Sequence, residues 1–139
     1  MLMETEANAK ARGAPVYCEV AGFGSAYGVE LDEQLGLGAM PTADAVAAAI
    51  TSALEVAGVK PEEVGFVSAH GTGVPAADAA ELAGIKKAFG AHAGKLLVSS
   101  TRAQLGNAMA ANSGLDALVC AKALRDGVVP GTARLEQAR

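Results

Sequence analysis

A histidine at the start of a glycine-rich loop is the residue of this chain best placed for chemistry. The loop, residues 70–73, reads His-Gly-Thr-Gly, and Asp78 and Glu81 follow it. Residues 65–69 before it form a short apolar run bounded by turn residues, which indicates a buried strand of the kind found in parallel sheets. Ligands of α/β sheets usually bind at the carboxyl ends of strands, where His70 would lie. An imidazole there can donate a hydrogen bond to developing negative charge or exchange a proton.

Each of these residues also has a structural interpretation. A single histidine is more often a hydrogen-bonding structural residue than a catalyst. Thr72 follows a glycine in a tight loop, where threonine often hydrogen-bonds its own backbone. Asp78 and Glu81 stand three apart at a predicted helix start, where carboxylates are favoured by the helix dipole. The loop by itself leaves both interpretations open.

A second polar stretch follows another predicted strand, residues 95–100. Arg102 comes next, and Asn107 lies at the start of an alanine-rich segment, 106–125, that carries no charge until Asp116. This composition predicts a core helix whose first half is buried on nearly every side.

Strands and helices are predicted to alternate along the chain. The loop over 22–41 is longer than a compact domain usually contains unless it lines a ligand or a partner. Alternation of this kind predicts an α/β layered fold with right-handed crossovers, as one domain over residues 1–139. The predicted helices cover 5–12, 42–57, 78–89 and 106–125, with strands over 15–21, 65–69 and 95–100.

Composition excludes several classes of protein. Hydrophobic residues make up 51% of the 139 residues and charged residues 19%, which argues against disorder. The net charge is −4 and the basic residues are scattered, so no nucleic-acid partner is expected. No apolar run approaches the roughly 18 residues needed to cross a bilayer, and the first residues are acidic rather than basic. We therefore expect no membrane partner and a cytoplasmic location.

The two cysteines, Cys18 and Cys120, lie within apolar runs. They lack the spacing of a zinc site or of a redox pair, so they are predicted to be buried thiols without a disulfide. His92 lies in a turn and is predicted to be solvated. The sequence predicts no metal site.

Two motifs in order resemble those of the β-ketoacyl synthases. Residues 69–81 resemble the family's Ala-His-Gly-Thr-x-Thr-Pro-x-Gly-Asp-x-x-Glu signature. Residues 98–117 resemble its Ser-Ser-x-Lys-x-x-x-Gly-His segment and the Ala/Gly-rich helix that follows. The similarity extends through 11–14, 17–20 and 124–130, and so covers nearly the whole chain apart from the long loop. The resemblance implies an acyltransferase of fatty-acid or polyketide condensation.

The fold of these enzymes is thiolase-like, with two similar halves stacked in five layers. This chain resembles the C-terminal half, with a mixed sheet and layered helices, and the resemblance implies that it lacks the last two strands. The family's nucleophilic cysteine belongs to the first half, at the N-terminus of a buried helix. Neither Cys18 nor Cys120 matches that position. We therefore expect no condensing activity from this chain alone.

The resemblance implies roles for individual residues of this chain. The histidine that matches His70 helps to decarboxylate the malonyl group and polarises the thioester carbonyl. The family's second histidine falls at Asn107, whose amide can donate to an oxyanion but cannot exchange a proton. Initiating and chalcone-type synthases look like a Cys-His-Asn version of this site. The family's lysine matches Arg102, for which we expect Glu81 as the ion-pair partner.

The substrate carrier implied by the family is the phosphopantetheine arm of an acyl carrier protein, with no other cofactor. Gly71, Thr72 and Asp78 match its substrate-binding positions. The family's second threonine is Val74 here, so one hydrogen bond to the arm is lost and binding should weaken. His70 and Asn107 are expected to lie close together around one oxyanion.

Three classes of function remain open at this point. The first is one part of a split or paired condensing enzyme, whose partner is an N-terminal synthase half or a second copy of the chain. The second is a non-catalytic module that binds an acyl chain or an acyl carrier protein. The third is a gene remnant without a function of its own. Self-association through the 106–125 helix is expected because that helix would otherwise expose apolar surface.

Overall fold

The computed structural model describes residues 2–30 and 40–136 and contains helices with short strands, so the predicted α/β class is confirmed. Single turns of 3-10 helix at Pro61–Glu63 and Met109–Ala111, and a longer one at Gly90–Lys95, connect the main elements. In the described residues the elements are α1 (Glu6–Ala11), β1 (Val29–Glu30), β2 (Met40–Pro41), α2 (Ala43–Ala57), β3 (Phe66–Ser68), α3 (Pro75–Phe89), β4 (Leu97–Ser99), α4 (Arg102–Leu105) and α5 (Asn112–Asp126).

The central sheet pairs β3 with β4 in parallel, as the apolar character of residues 65–69 predicts. Phe66 lies opposite Leu97, and Ser68 lies opposite Ser99. The ladder continues past Ser68, since the Ala69 amide donates to the Ser99 carbonyl at 2.8 Å. Because the two strands run in the same direction, their carboxyl ends share one edge of the sheet. A separate antiparallel pair joins β1 to β2.

The core lies between α2 and α3. Both ends of α2 follow the predicted capping residues, and α3 ends at the predicted Gly90 but begins at Pro75, three residues before the predicted start. The Thr42 hydroxyl accepts from the Ala45 amide at 3.1 Å, and Gly58 ends α2 with φ +65°. Gly84 of α3 meets α2 so closely that an added Cβ would lie 2.5 Å from the Val46 Cβ. Ile85 is 3% exposed beside this contact. Small residues therefore let the two helices approach closely, as the composition indicates.

Part of the predicted loop, residues 22–28, lies along α2. A Cβ at Gly24 would lie 2.0 Å from the Ala49 carbonyl oxygen, so only glycine allows this contact. The loop continues into β1, and β2 closes it. The part of the predicted loop over 31–39 lies outside the described residues.

The predicted strand over 15–21 is wrong. This stretch forms neither a helix nor a strand and pairs with no strand in the described part of the chain. Val16 and Tyr17 are each 56% exposed. Residues of β-branched and aromatic type favour a strand only when a neighbouring strand lies beside them.

The predicted helix over 106–125 is also wrong in its first third. The chain forms α4, leaves the helix at Gly106 with φ +75°, and begins α5 only at Asn112. Residues 107–111 are exposed, with Met109 at 77%, instead of buried as their composition predicts. The Ala108 and Met109 amides donate to the side-chain oxygens of Asn112 and Asn107, and these bonds compete here with helix formation.

Three smaller expectations also fail. Cys18 is exposed and Cys120 is only partly buried. His92 is partly buried, and its Nε2 lies 2.9 Å from the Val64 carbonyl oxygen, so it joins the 3-10 turn at 90–95 to the start of β3 instead of facing solvent.

No helix in the described ranges combines the length and the apolar character needed to cross a membrane.

Candidate active site

Two carboxylates of α3 hold the loop that carries His70. The Glu81 carboxylate accepts from the backbone amides of His70 at 2.7 Å and Gly71 at 3.0 Å. The Asp78 carboxylate accepts from the Thr72 amide at 2.7 Å and the Gly73 amide at 3.0 Å. Hydrogen bonds from amides to an ionised acceptor are about twice as strong as neutral ones. The backbone after His70 is therefore held by charge-assisted bonds over four consecutive residues.

Local sequence explains why this loop forms. Gly71 has φ +54° and Gly73 has φ +81°, both in the left-handed region that glycine tolerates. Asp78 and Glu81 are three residues apart on α3, so both face the same side of the helix. Thr72 donates its hydroxyl to Asp78 at 2.9 Å and accepts the Val74 amide at 3.1 Å. The structural interpretation of Thr72 is thus realised in the fold.

A cleft of about 490 Å³ opens beside the loop. Its walls combine the polar residues of the loop and of α3 with apolar residues from β2 and α2. His70 is exposed at this cleft. The lining residues are Met40, Pro41, Val46, His70, Thr72, Val74, Ala77, Asp78 and Glu81.

The end of β4 supports the His70 loop from the other side. The Ser100 hydroxyl donates to the His70 carbonyl at 3.1 Å and accepts from the Arg102 amide at 3.3 Å. Ser100 also lies against Gly71, where an added Cβ would come within 2.6 Å of the serine side chain. The residues that follow the two parallel strands are therefore in direct contact at one edge of the sheet.

Arg102 pairs with Asp116 of α5, so the predicted pairing with Glu81 is wrong. The contact is bidentate, with Nη1 at 3.2 Å and Nη2 at 2.6 Å from the carboxylate oxygens. The Arg102 side chain is 8% exposed and that of Asp116 22%. Both Glu81 oxygens are already occupied by backbone amides, whereas Asp116 lies close enough for a planar two-point contact.

Asn107 lies in the loop between α4 and α5. Its Oδ1 accepts from the Met109 amide at 2.9 Å and from Asn112 Nδ2 at 2.6 Å. Asn112 Oδ1 in turn accepts from the Ala108 amide at 2.9 Å. Sequence reasoning missed Asn112, although an uncharged polar residue in an otherwise alanine-rich segment was a signal of a specific contact.

The structure brings some predicted site residues together and leaves others apart. His70, Thr72, Asp78 and Glu81 line one cleft with the backbone of Gly71 beside them. Arg102 belongs to the contact with Asp116, and Asn107 lies in a different loop from the residues that line the cleft.

Cys120 lacks the surroundings of an activated nucleophile. Burial raises the pKa of the Cys120 thiol above its usual value, and the negative charge of Asp116 raises it further. Reactive cysteines need the opposite, a lowered pKa near cations or a helix N-terminus. Cys18 is exposed, in the stretch before residue 22 that forms neither a helix nor a strand.

Comparison with known proteins decides the family. Residues 17–136 match the family model described as the C-terminal domain of the beta-ketoacyl synthases. The chain belongs to the β-ketoacyl synthase family. This synthase domain is 40% identical to 3-oxoacyl-acyl-carrier-protein synthase 2 of Vibrio cholerae, over 98% of this chain and 32% of that protein.

Solved structures show the same fold. The ishigamide ketosynthase/chain length factor matches this synthase domain with a TM-score of 0.81 and 36% identity, over 93% of this chain and 30% of that one. A type II polyketide synthase acyl-carrier protein in complex with its ketosynthase bound to the hexaketide matches with a TM-score of 0.76 and 29% identity, over 86% and 28%. The domain therefore spans about a third of the length of the curated relatives it matches.

Proposed function

We propose that this domain forms the C-terminal half of a β-ketoacyl-acyl-carrier-protein synthase active site, which condenses an acyl thioester with a malonyl thioester. The observation that carries the proposal is the His70 loop, held by Glu81 and Asp78 at the carboxyl end of β3 and open to a cleft of about 490 Å³. The nucleophilic cysteine would come from residues outside these 139.

The proposed chemistry needs hydrogen-bond donors where negative charge develops. Loss of carbon dioxide from the malonyl group leaves a carbanion whose charge is shared with the thioester carbonyl oxygen. His70 would donate to that oxygen, and Asn107 would be the second donor. An imidazole changes its charge near neutral pH, whereas an amide does not titrate. Asn107 would therefore contribute a donor at every working pH.

The surroundings of Cys120 support a nucleophile from elsewhere, because its raised pKa lowers the thiolate fraction of the thiol. Cys18 does not match the position of the family's nucleophile. In this proposal the chain alone does not form an acyl-enzyme intermediate, so it does not condense. In the proposal an N-terminal synthase half supplies the nucleophile, whereas a second copy of the chain would associate with it without supplying one. The exposed apolar side chains of Met109, Leu118 and Leu124 support such a contact, at 77%, 42% and 73% exposure.

An acyl carrier protein is the proposed source of both thioesters. One structural relative is a ketosynthase in complex with such a protein, which supports this partner. The phosphopantetheine arm would enter the cleft beside Thr72 and Asp78. Val74 lines the cleft with a side chain that offers no hydrogen bond, so the arm should bind less tightly than to a threonine there. A cytoplasmic location remains a prediction.

A chimera tests the proposal. This domain replaces the matching C-terminal third of the Vibrio cholerae synthase, and the product formed from acyl and malonyl carrier proteins is measured. We expect condensation, and we expect His70→Ala to lower kcat by roughly 10²- to 10⁴-fold. His92→Ala serves as the matched control, because His92 contacts the Val64 carbonyl away from the cleft. A folded chimera that binds carrier protein but does not condense, or that is insensitive to His70→Ala, would contradict the proposal.

The second candidate is a binding module without catalysis. The raised pKa of the Cys120 thiol is as compatible with this candidate as with the first, because a binding module needs no thiolate. It predicts that the 139-residue chain binds acyl carrier protein on its own and that the chimera is inactive. Titration of the labelled carrier protein with the chain distinguishes the two candidates. Binding together with an active chimera would refute the module.

A further inference from the structure

Asn112 is a buried polar residue that the proposed chemistry does not use. It is 5% exposed and opens α5. Both polar atoms of its side chain turn back toward the loop before the helix. Oδ1 accepts from the Ala108 amide at 2.9 Å, and Nδ2 donates to Asn107 Oδ1 at 2.6 Å. A buried side-chain amide with both atoms paired is held in one orientation.

Two backbone amides determine which way both side chains face. A backbone N–H can only donate, so the Asn112 atom that meets the Ala108 amide must be the oxygen. The other Asn112 atom is then the nitrogen, and the Asn107 atom it meets must be an acceptor. The Met109 amide donates to that same Asn107 atom at 2.9 Å. Both contacts therefore identify it as the Asn107 oxygen.

The orientation of Asn107 decides what the loop can offer a ligand. Because the oxygen of Asn107 faces Met109 and Asn112, its NH₂ group is on the other side, and Asn107 is exposed. An oxyanion attracts an N–H donor and is repelled by a carbonyl oxygen. If Asn107 were flipped, its oxygen would face the ligand, and its contact with an oxyanion would be repulsive instead of attractive.

The backbone of the same loop is strained. Met109 has φ +54°, a left-handed conformation that residues with a Cβ other than Asn, Asp and His seldom adopt. The surrounding contacts must hold this conformation in place. The hydrogen bond from the Met109 amide to Asn107 and that from the Ala108 amide to Asn112 are such contacts.

We propose that Asn112 is a positioning residue, which fixes the side-chain flip of Asn107 so that this domain presents an amide nitrogen as its second oxyanion donor. The inference rests on the proposed function and identifies the residue on which one of its two donors depends. Asn112 itself touches no reacting atom in this account.

Side-chain amide NMR of the ¹⁵N-labelled 139-residue chain tests the orientation directly. The sequence has three asparagines, Asn8, Asn107 and Asn112, so the asparagine NH₂ signals are few. We expect the Asn112 NH₂ protons to exchange with water roughly tenfold more slowly than those of exposed Asn8, because they are buried and hydrogen-bonded. Equal exchange rates in the folded chain would overturn the proposal, and this measurement needs no variant.

Asn112→Asp supplies the sharper variant. The carboxylate still accepts the Ala108 amide but repels the Asn107 oxygen. A charge-assisted bond from the Asn107 NH₂ group to this carboxylate is stronger than the neutral bond from the Met109 amide that is lost, so Asn107 should turn its NH₂ group inward. Its NH₂ signals should shift and exchange more slowly, while Asn8→Asp, on exposed α1, should leave the Asn107 signals in place. Unchanged Asn107 signals in Asn112→Asp, with the folded backbone spectrum retained, would overturn the proposal.

The chimera provides a functional readout that a purely structural role would not move. Asn112→Asp should lower kcat by roughly 10²-fold, the cost of one oxyanion donor, with KM changed less than about threefold. In the Asn107→His background the same change should cost at least roughly tenfold less, since an imidazole has no amide to flip. An equal loss in both backgrounds means that Asn112 only supports the fold, and the proposal fails.

The two levels of test separate the inference from the proposed function. An NMR response of Asn107 to Asn112→Asp in the chain, combined with a condensing chimera that is insensitive to Asn107→Ala, supports the positioning role and refutes Asn107 as a donor. An active chimera that needs Asn107 but is insensitive to Asn112→Asp supports the proposed function and refutes the positioning role.

Discussion

The loop of His70 and the loop of Asn107 reach the same backbone angle by different means. Gly71 and Met109 both have φ +54°. In the first loop glycine takes this angle without a steric penalty, and charged carboxylates of α3 hold the backbone amides. In the second loop a methionine takes it, and neutral asparagine side chains hold the amides.

This difference indicates which substitutions should disturb each of the two loops. Strong bonds to an unstrained backbone tolerate small changes nearby. Weaker bonds to a strained backbone need each of their members, since the conformation persists only while the surroundings hold it. The His70 loop should therefore be the more robust of the two, and the predictions below test that contrast.

The largest effect is expected at the ion pair that joins the helices on either side of the Asn107 loop. Asp116→Asn leaves the nearly buried Arg102 without its counter-charge, which should cost about 3 kcal/mol in the free energy of unfolding. The matched control is Asp44→Asn, whose partner Lys87 is exposed, with an expected cost below about 1 kcal/mol. Urea unfolding measures both, and equal costs would show that the contact with α5 is not an anchor.

Gly71→Ala should have the next largest effect on stability. The added Cβ would lie 2.6 Å from the Ser100 side chain and would occupy a left-handed backbone position. We expect a loss of about 2 to 3 kcal/mol in the free energy of unfolding. Gly94→Ala is the control, because nothing lies within 4 Å of its added Cβ. A loss at Gly71 no greater than at Gly94 would contradict the packing described for the sheet edge.

Glu81→Gln tests the charge-assisted bonds of the His70 loop. One oxygen is replaced by an NH₂ group that meets a backbone amide, so one amide loses its acceptor and the charge is lost. The expected cost is about 1 to 3 kcal/mol, against a few tenths for Glu55→Gln on the exposed side of α2. If the two variants unfold at the same urea concentration, the loop does not depend on its carboxylates.

Met109→Gly should have the smallest effect and the opposite sign. Removing the Cβ relieves the left-handed strain, and the methionine side chain is 77% exposed, so little packing is lost. Strain relief of about 1 to 2 kcal/mol exceeds the entropic cost of glycine, about 0.5 to 1 kcal/mol, so the chain should gain up to about 1 kcal/mol. A clear destabilisation on thermal unfolding would show that the Asn107 loop is not strained.

Sequence could predict the elements whose ends carry their own signals. Thr42 and Gly58 mark the two ends of α2, and Gly90 follows α3, because capping depends on residues that touch the helix terminus. The strands β3 and β4 were also predictable, since each lies in a short apolar run and a helix separates the two along the chain. The loop after His70 could be singled out as a candidate site because its glycines and carboxylates are close in sequence.

What sequence could not predict depends on contacts between distant residues. The stretch 15–21 has the composition of a strand, but pairing needs a neighbour that composition does not reveal. Glu81 was the expected partner of Arg102, and only the fold shows that Asp116 faces Arg102 while Glu81 is occupied by backbone amides. The break before α5 arises because Asn107 and Asn112 bind each other across four intervening residues, which no helical periodicity indicates.

The most direct test of the central claim is a crystal structure of the chimera with a bound non-hydrolysable acyl thioester analogue. We expect one carbonyl oxygen of the analogue to lie within about 3.2 Å of both a His70 ring nitrogen and Asn107 Nδ2. A carbonyl oxygen bound only by groups outside this domain, or side chains of His70 and Asn107 more than about 10 Å apart and so beyond a single water bridge, would contradict it.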